Sequence, residues 1–209
     1  MSDRPLVSVL TPTWQRHDLL LGAIDDVIEQ TYRPLELVIV SDGPDAALRE
    51  IMDDLEGEDG GVRIRFVELG RNWSTFLTNS FCAAPIVVAQ LVARGEYQMF
   101  LSDDERMEPD HIASLVDALE AASADFAYSK VRMYYPHQTP DQGWDIGMDP
   151  PQSGQITNAL WRADLLARAG LYPFGAGMTS DWQYISNWQS KGATHAFVNR
   201  VTMTHRADH

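Results

Sequence analysis

Short apolar, β-branched runs alternate with apolar residues at helical spacing through the first half of the chain. Leu6 to Thr11 (LVSVLT), ended by Pro12, predicts a strand. Asp18 to Gln30 places Leu20, Leu21, Ile24, Val27 and Ile28 at helical spacing, with Asp18 as its N-cap. Leu35 to Val40 (LELVIV) is a second strand, stopped by Ser41-Asp42-Gly43-Pro44. A helix over Ala46 to Leu55 is broken by Gly60-Gly61, and Val62 to Val67 is a third strand. A helix over Ala83 to Ala93 ends at Gly95, and Tyr97 to Leu101 is the fourth strand. Alternating strands and helices of this kind build a largely parallel sheet, and the first two strands with their helix form one right-handed βαβ unit.

The second half is less regular. An amphipathic helix is expected over Pro109 to Ala122 and a strand over Phe126 to Met133. Tyr134 to Gln155, rich in Pro, Gly, Asp and aromatics, has no period and reads as a long surface excursion. A strand (Ile156 to Leu160), two helices (Ala163 to Ala169 and Asp181 to Ser190) and a strand (Ala196 to Met203) complete the prediction. No repeat, low-complexity tract or linker interrupts the chain, so residues 1–209 are expected to form one α/β domain.

Composition narrows the classes. Sixteen Lys and Arg against 30 Asp and Glu give a net charge of −14. That argues against the basic stripe of a nucleic-acid surface and against electrostatic docking on an anionic membrane. An acidic protein handling an anionic substrate needs local compensation, for which a divalent cation is the obvious candidate. The lone cysteine, Cys82, excludes an internal disulfide and a cysteine-based zinc cluster. No transmembrane run is present, and the polar start Met1-Ser2-Asp3-Arg4-Pro5 has no signal-peptide core, so a cytoplasmic location is expected.

The candidate chemistry lies where strands end. Thr11-Pro12-Thr13 and Ser41-Asp42-Gly43 follow the first two strands, and Ser102-Asp103-Asp104-Glu105 follows the fourth. In open α/β sheets such ends face the ligand crevice. Clustered carboxylates there suit Mg²⁺ or Mn²⁺ with substrate phosphates. They equally suit a helix start, since Glu108, Pro109 and Asp110 follow. Asp42 alone fits an Asx-turn, and Asp181, after Ser180, fits a helix N-cap. Tyr134, Tyr135 and Trp144 in the excursion fit either loop packing or a platform for sugar rings. Trp182 and Trp188 fit the core, and His111, His137 and His195 show no ligand spacing.

Four segments, in order, resemble family 2 glycosyltransferases of the GT-A fold. They are Val7 to Arg16 (VSVLTPTWQR), Glu29-Gln30-Thr31-Tyr32 with Glu36 to Gly43, Gly95-Glu96-Tyr97 with Phe100 to Glu105, and Ser180-Asp181-Trp182. The chain departs from that pattern at Val87 and Ala89, where Asn and Gly are frequent, and at Ser180, where an acid often precedes Asp181.

The resemblance implies a nucleotide-sugar-binding half (1–105) and an acceptor-binding, catalytic half (106–209). It implies an inverting, metal-dependent transfer from a nucleotide-diphosphate sugar, UDP-sugar by default, to a hydroxyl of a small molecule or glycan. Asp104 would hold Mn²⁺ or Mg²⁺, with Asp103 beside the ribose or sharing the metal. Asp42 would accept from the nucleobase imide. Thr11 and Thr13 would contact the same base, Pro12 would fix the loop, and Arg16 would reach the base or a phosphate. His205 would be a further metal ligand or a plain terminal histidine. Asp181 would be the general base for the acceptor hydroxyl. The rivals are a catalytically inactive sugar-nucleotide-binding domain of the same fold and a nucleotidyltransferase. The latter usually carries a Gly-rich loop after its first strand, and Thr11 to His17 contains no glycine.

Overall fold

The structure is a computed structural model that describes residues 4–76, 82–149, 151, 158–172 and 181–207, the side chains of residues 181–183 aside. The first half comprises β1 (Val7–Thr13), α1 (His17–Ile28), β2 (Leu35–Ser41), α2 (Ala46–Leu55), β3 (Gly57–Asp59), β4 (Val62–Glu68), α3 (Trp73–Phe76), α4 (Ala83–Val92) and β5 (Tyr97–Phe100). The second comprises β6 (Glu105–Met107), α5 (His111–Ala122), β7 (Phe126–Tyr134), β8 (Trp144–Ile146), β9 (Leu160–Arg162), α6 (Leu165–Ala169), α7 (Asp181–Ser190) and β10 (His195–Arg206).

Among the described residues, ten strands join one sheet in the order β3-β4-β2-β1-β5-β9-β7-β10-β6, with β8 added beside β7. β4, β2, β1 and β5 run parallel, as do β7 and β10. Antiparallel β9 links the two groups, which therefore point the same way. The domain is thus α/β with a mixed, mostly parallel sheet. The longer strands carry the apolar runs: every residue of β2 is buried, as expected of a parallel strand covered on both faces.

Helices hold the site-bearing strands in place. α4 packs on β1 and β2, and α5 packs on β7, β9 and β10. α7 is anchored through aromatics. Tyr184 and Trp188 lie 4.7 Å apart, and Trp188 lies 5.3 Å from Trp161 of β9, which itself meets Phe100 of β5 at 4.7 Å. Ring contacts of this kind add to area burial, and they fix the helix that begins at Asp181 against the middle of the sheet.

Several boundaries differ from expectation. α1 starts at His17 with Arg16 at the N-cap position, so Asp18 sits in the first turn and is not the cap. Glu105 does not open a helix. It lies in β6, opposite His205 in β10. The strand expected at Ile156 to Leu160 appears at Leu160–Arg162, while residues 156 and 157 lie outside the described residues. The excursion from Tyr134 contains a hairpin strand, β8, paired with β7.

Candidate active site

β1, β2 and β5 are adjacent and parallel, so their C-terminal ends open together. The end of β1 is locked to that of β2, where the Asp42 amide donates to the Thr13 carbonyl (2.9 Å). Gly43 follows with φ +135°, and a Cβ there would lie 2.8 Å from the Asn72 amide and from the Trp14 ring. Only glycine fits that turn. The Asp42 carboxylate accepts from the backbone N–H groups of Trp73 (2.9 Å) and Ser74 (3.0 Å), at the start of α3. Each oxygen keeps a further lone pair. Asp42 therefore organises the loop after β4 as well as its own turn.

Asp103 and Asp104 come together at the end of β5, only 2% and 8% exposed. Two buried carboxylates require a counter-charge, and Arg16 supplies it. One guanidinium nitrogen lies 2.8 Å from Asp103 Oδ1, and the other lies 2.8 Å from Asp104 Oδ2. Gln15, just before it, has φ +54°, a conformation disfavoured in non-glycine residues and concentrated at functional sites. The Thr13 hydroxyl completes the Asp103 cradle by donating to Oδ2 at 2.9 Å.

The site shifts the two carboxyls in opposite directions from their ordinary value. Burial, with the nearby Asp104 and Glu105 charges, pushes Asp103 up to about 6 although Arg16 and Thr13 pull it down. Burial also pushes Asp104 up, but the Ser102 hydroxyl, Arg16 and the His205 charge outweigh it and hold that carboxyl below its ordinary value. Desolvation and neighbouring charge compete in both residues, with a different winner in each.

His205 faces Glu105 across the β10–β6 ladder, its Nδ1 3.3 Å from Glu105 Oε1. The other Glu105 oxygen accepts from the Ser102 amide at 2.9 Å. This pair, with Glu105 buried and His205 half-buried, was missed in the sequence because a three-residue strand carries no period of its own.

Among the described residues no three His, Cys, Asp or Glu side chains converge as a metal cage. Asp104 Oδ1, however, is buried and without a hydrogen-bond partner. Such an oxygen is costly and calls for an unseen ion or donor. One free carboxylate oxygen fits a hard cation of the kind bound by one or two carboxylates plus substrate phosphates. It does not fit a metal held by protein alone.

The remaining expected residues are placed as follows. Thr11 is buried at the end of β1 with its hydroxyl oxygen unpartnered. Pro12 pairs in register with Val40. Asp181 is the first residue of α7, and its side chain lies outside the described residues, as does Ser180 altogether. His111 is wholly buried, its Nδ1 2.6 Å from the Thr202 hydroxyl.

The sequence profile of glycosyl transferase family 2 matches residues 8–162. TuaG of Bacillus subtilis, named for teichuronic acid biosynthesis, is 25% identical over 157 residues, covering 75% of this chain and 58% of its own length. The glucosyl-dolichyl phosphate glucuronosyltransferase of Haloferax volcanii is 32% identical over 114 residues, covering 54% of this chain and 33% of its own. The chain thus spans less than two thirds of either relative. Among solved structures, S. aureus TarS 1-349 in complex with UDP-GlcNAc superposes with TM-score 0.74 at 14% identity, over 97% of this chain and 59% of that one. The mannosyltransferase PcManGT of Pyrobaculum calidifontis, in complex with GDP-Man and Mn²⁺, superposes with TM-score 0.69 at 18% identity, over 97% and 57%. At these identities the two structures establish the shared fold.

Proposed function

The chain belongs to glycosyl transferase family 2, and from that premise we propose that it moves a sugar from a nucleotide-diphosphate donor to an acceptor hydroxyl, with inversion and with Mn²⁺ or Mg²⁺. The observation that carries this reading is the buried Asp103–Asp104 pair beside the ends of β1 and β2, with one Asp104 oxygen unpartnered. TarS with UDP-GlcNAc and PcManGT with GDP-Man share the fold and support a sugar-nucleotide donor. UDP-sugar is the default.

In this reading the nucleobase lies over Thr11, Pro12 and Thr13, with a free lone pair of Asp42 accepting from its imide. Asp103 faces the ribose. Asp104 holds the cation together with the donor's phosphates, and His205 is the further candidate ligand. When bound, the cation stabilises negative charge on the departing diphosphate. Arg16, which bridges both acids in the free protein, would also be placed to contact that diphosphate. Asp181, at the start of α7, takes the proton of the acceptor hydroxyl as its oxygen bonds to the anomeric carbon and the carbon–diphosphate oxygen bond breaks. The buried ring cluster beneath α7 keeps that helix end in register with the sheet.

Two variants separate donor binding from chemistry. Asp104→Ala abolishes metal-dependent nucleotide binding. Asp181→Asn retains it and loses turnover, measured as donor consumption with Mn²⁺ and with chelator. An active Asn variant removes Asp181 from the role of base. Intact binding without any turnover in the parent, across acceptors, favours the inactive-domain alternative.

A further inference from the structure

The hairpin between β7 and β8 carries aromatic side chains outside the core. Tyr135 is 45% exposed and Trp144 is 40% exposed. Tyr135 lies 5.1 Å from Trp144 and stacks on His137 at 5.8 Å with only 4° between the planes. Leaving two large aromatics half in water forgoes hydrophobic stabilisation, and clustered exposure of this kind marks interaction sites.

The loop that presents them is built rather than loose. The Tyr135 amide donates to Gln138 Oε1 (3.0 Å), and the Gln138 amide donates back to the Tyr135 carbonyl (2.9 Å). Thr139 and Gln142 repeat the arrangement, each at 3.0 Å. An Arg132–Asp145 ion pair clamps the strands. A Cβ at Gly143 would lie 2.0 Å from the Met133 carbonyl oxygen, so the turn closes only with glycine there.

The register ties this platform to the site. Trp144 pairs with Met133, Met133 with His205, and His205 with Glu105. Four strands thus carry one cross-strand row from the aromatic pair to the acidic segment. At about 4.8 Å per strand, Trp144 is roughly 10 Å from the His205 backbone.

We propose that Tyr135, His137 and Trp144 form an acceptor subsite that stacks on the apolar face of a neutral pyranose ring, so that the acceptor is a saccharide. The proposal rests on the glycosyltransferase reading above. Flat aromatic faces beside hydrogen-bonding groups (Gln138, Asp141 and Asp145) match a sugar ring, which presents C–H groups on its face and hydroxyls at its rim. Asp141 at the rim, with Asp145 already paired to Arg132 and within a chain of net charge −14, disfavours an anionic lipid surface or a phosphorylated ring.

The test is isothermal titration calorimetry with neutral tetrasaccharides of glucose and of N-acetylglucosamine, with UDP and Mn²⁺ present. At least one is expected to bind the parent. Trp144→Ala and Tyr135→Ala should weaken it ten-fold or more, and Trp144→Phe should retain most of the affinity. UDP affinity should stay within two-fold in all three. Saccharide binding at parental strength in Trp144→Ala, or no saccharide binding while UDP binds, overturns the subsite and leaves the donor reading standing. Absence of binding by both UDP and GDP to the parent overturns the donor reading itself, and the subsite with it. Trp144-dependent capture on phosphatidylcholine vesicles without saccharide binding assigns the patch to a membrane and also overturns the proposal.

Discussion

Replacing Arg16 by methionine keeps a long apolar stem and removes the charge that bridges Asp103 and Asp104. Breaking a buried ion pair typically costs about 3–5 kcal/mol. Two features lower that figure here. The Arg16 side chain is 37% exposed, so water enters as the guanidinium leaves. Asp103, already raised to about 6, escapes by taking up a proton. That value already includes the pull of Arg16, so in the variant protonation at pH 7 costs at most about 1.4 kcal/mol, and the charge-assisted hydrogen bond lost from Asp104 adds about 1.5 kcal/mol. The expected loss is therefore about 2–3 kcal/mol, or a fall in Tm of roughly 4–12 °C for a chain of this size. Urea unfolding without metal measures it, with an unchanged m-value as the check on two-state behaviour. Mn²⁺ should stabilise the variant more than the parent, because the cation no longer competes with Arg16 for Asp104. A loss under about 0.5 kcal/mol, the range of ordinary surface substitutions, would refute the view that Arg16 neutralises the acids.

Two further expectations concern buried positions away from Asp104. His111 is buried neutral, with burial driving its pKa down to about 3. The unfolded chain binds a proton there below about pH 6.5 and the native chain does not, so stability is full above that value and falls on acidification at about 1.4 kcal/mol per pH unit. Between pH 7 and pH 5 the contribution is about 2 kcal/mol, and His111→Gln should flatten the slope in that window; an unchanged slope would assign the acid sensitivity elsewhere. Gly95→Ala places a Cβ 2.5 Å from Ser8 Oγ and 2.7 Å from the Ser8 amide. It should cost about 1–3 kcal/mol and weaken nucleotide affinity, by shifting β5 against β1 where Asp103 meets Thr13.

How far the sequence spoke depended on the length of each element. β1, β2 and β5 are apolar-rich runs and β4 alternates (VRIRFV), each ended by polar or breaker residues, and their adjacency follows from the alternation with α1, α2 and α4. β3, β6 and β8 have three residues each and exist only through their partners, so no local pattern announced them. Glu105 shows the consequence. Its neighbours Glu108, Pro109 and Asp110 imitate a helix start, yet pairing with His205, a hundred residues away (205 − 105), makes it a strand residue. Arg16 was legible only as a basic residue near the ligand loop. Its grip on two carboxylates depends on the positive φ of Gln15 and on the meeting of β1 with β5. The aromatics of the β7–β8 hairpin were visible in the sequence, but only burial separates a platform from loop packing.

The most direct measurement is the thermal stability of the parent and of Asp104→Ala with UDP, GDP and their sugars, each with Mn²⁺ and with chelator. At a ligand concentration of about 100 Kd, binding to the native state adds about 2.7 kcal/mol, or roughly 5–11 °C here. Stabilisation of the parent that requires both nucleotide and cation, and is absent from Asp104→Ala, is the predicted result. Stabilisation indifferent to chelator, or none by any nucleotide, would contradict a metal-assisted nucleotide-sugar site built on Asp104.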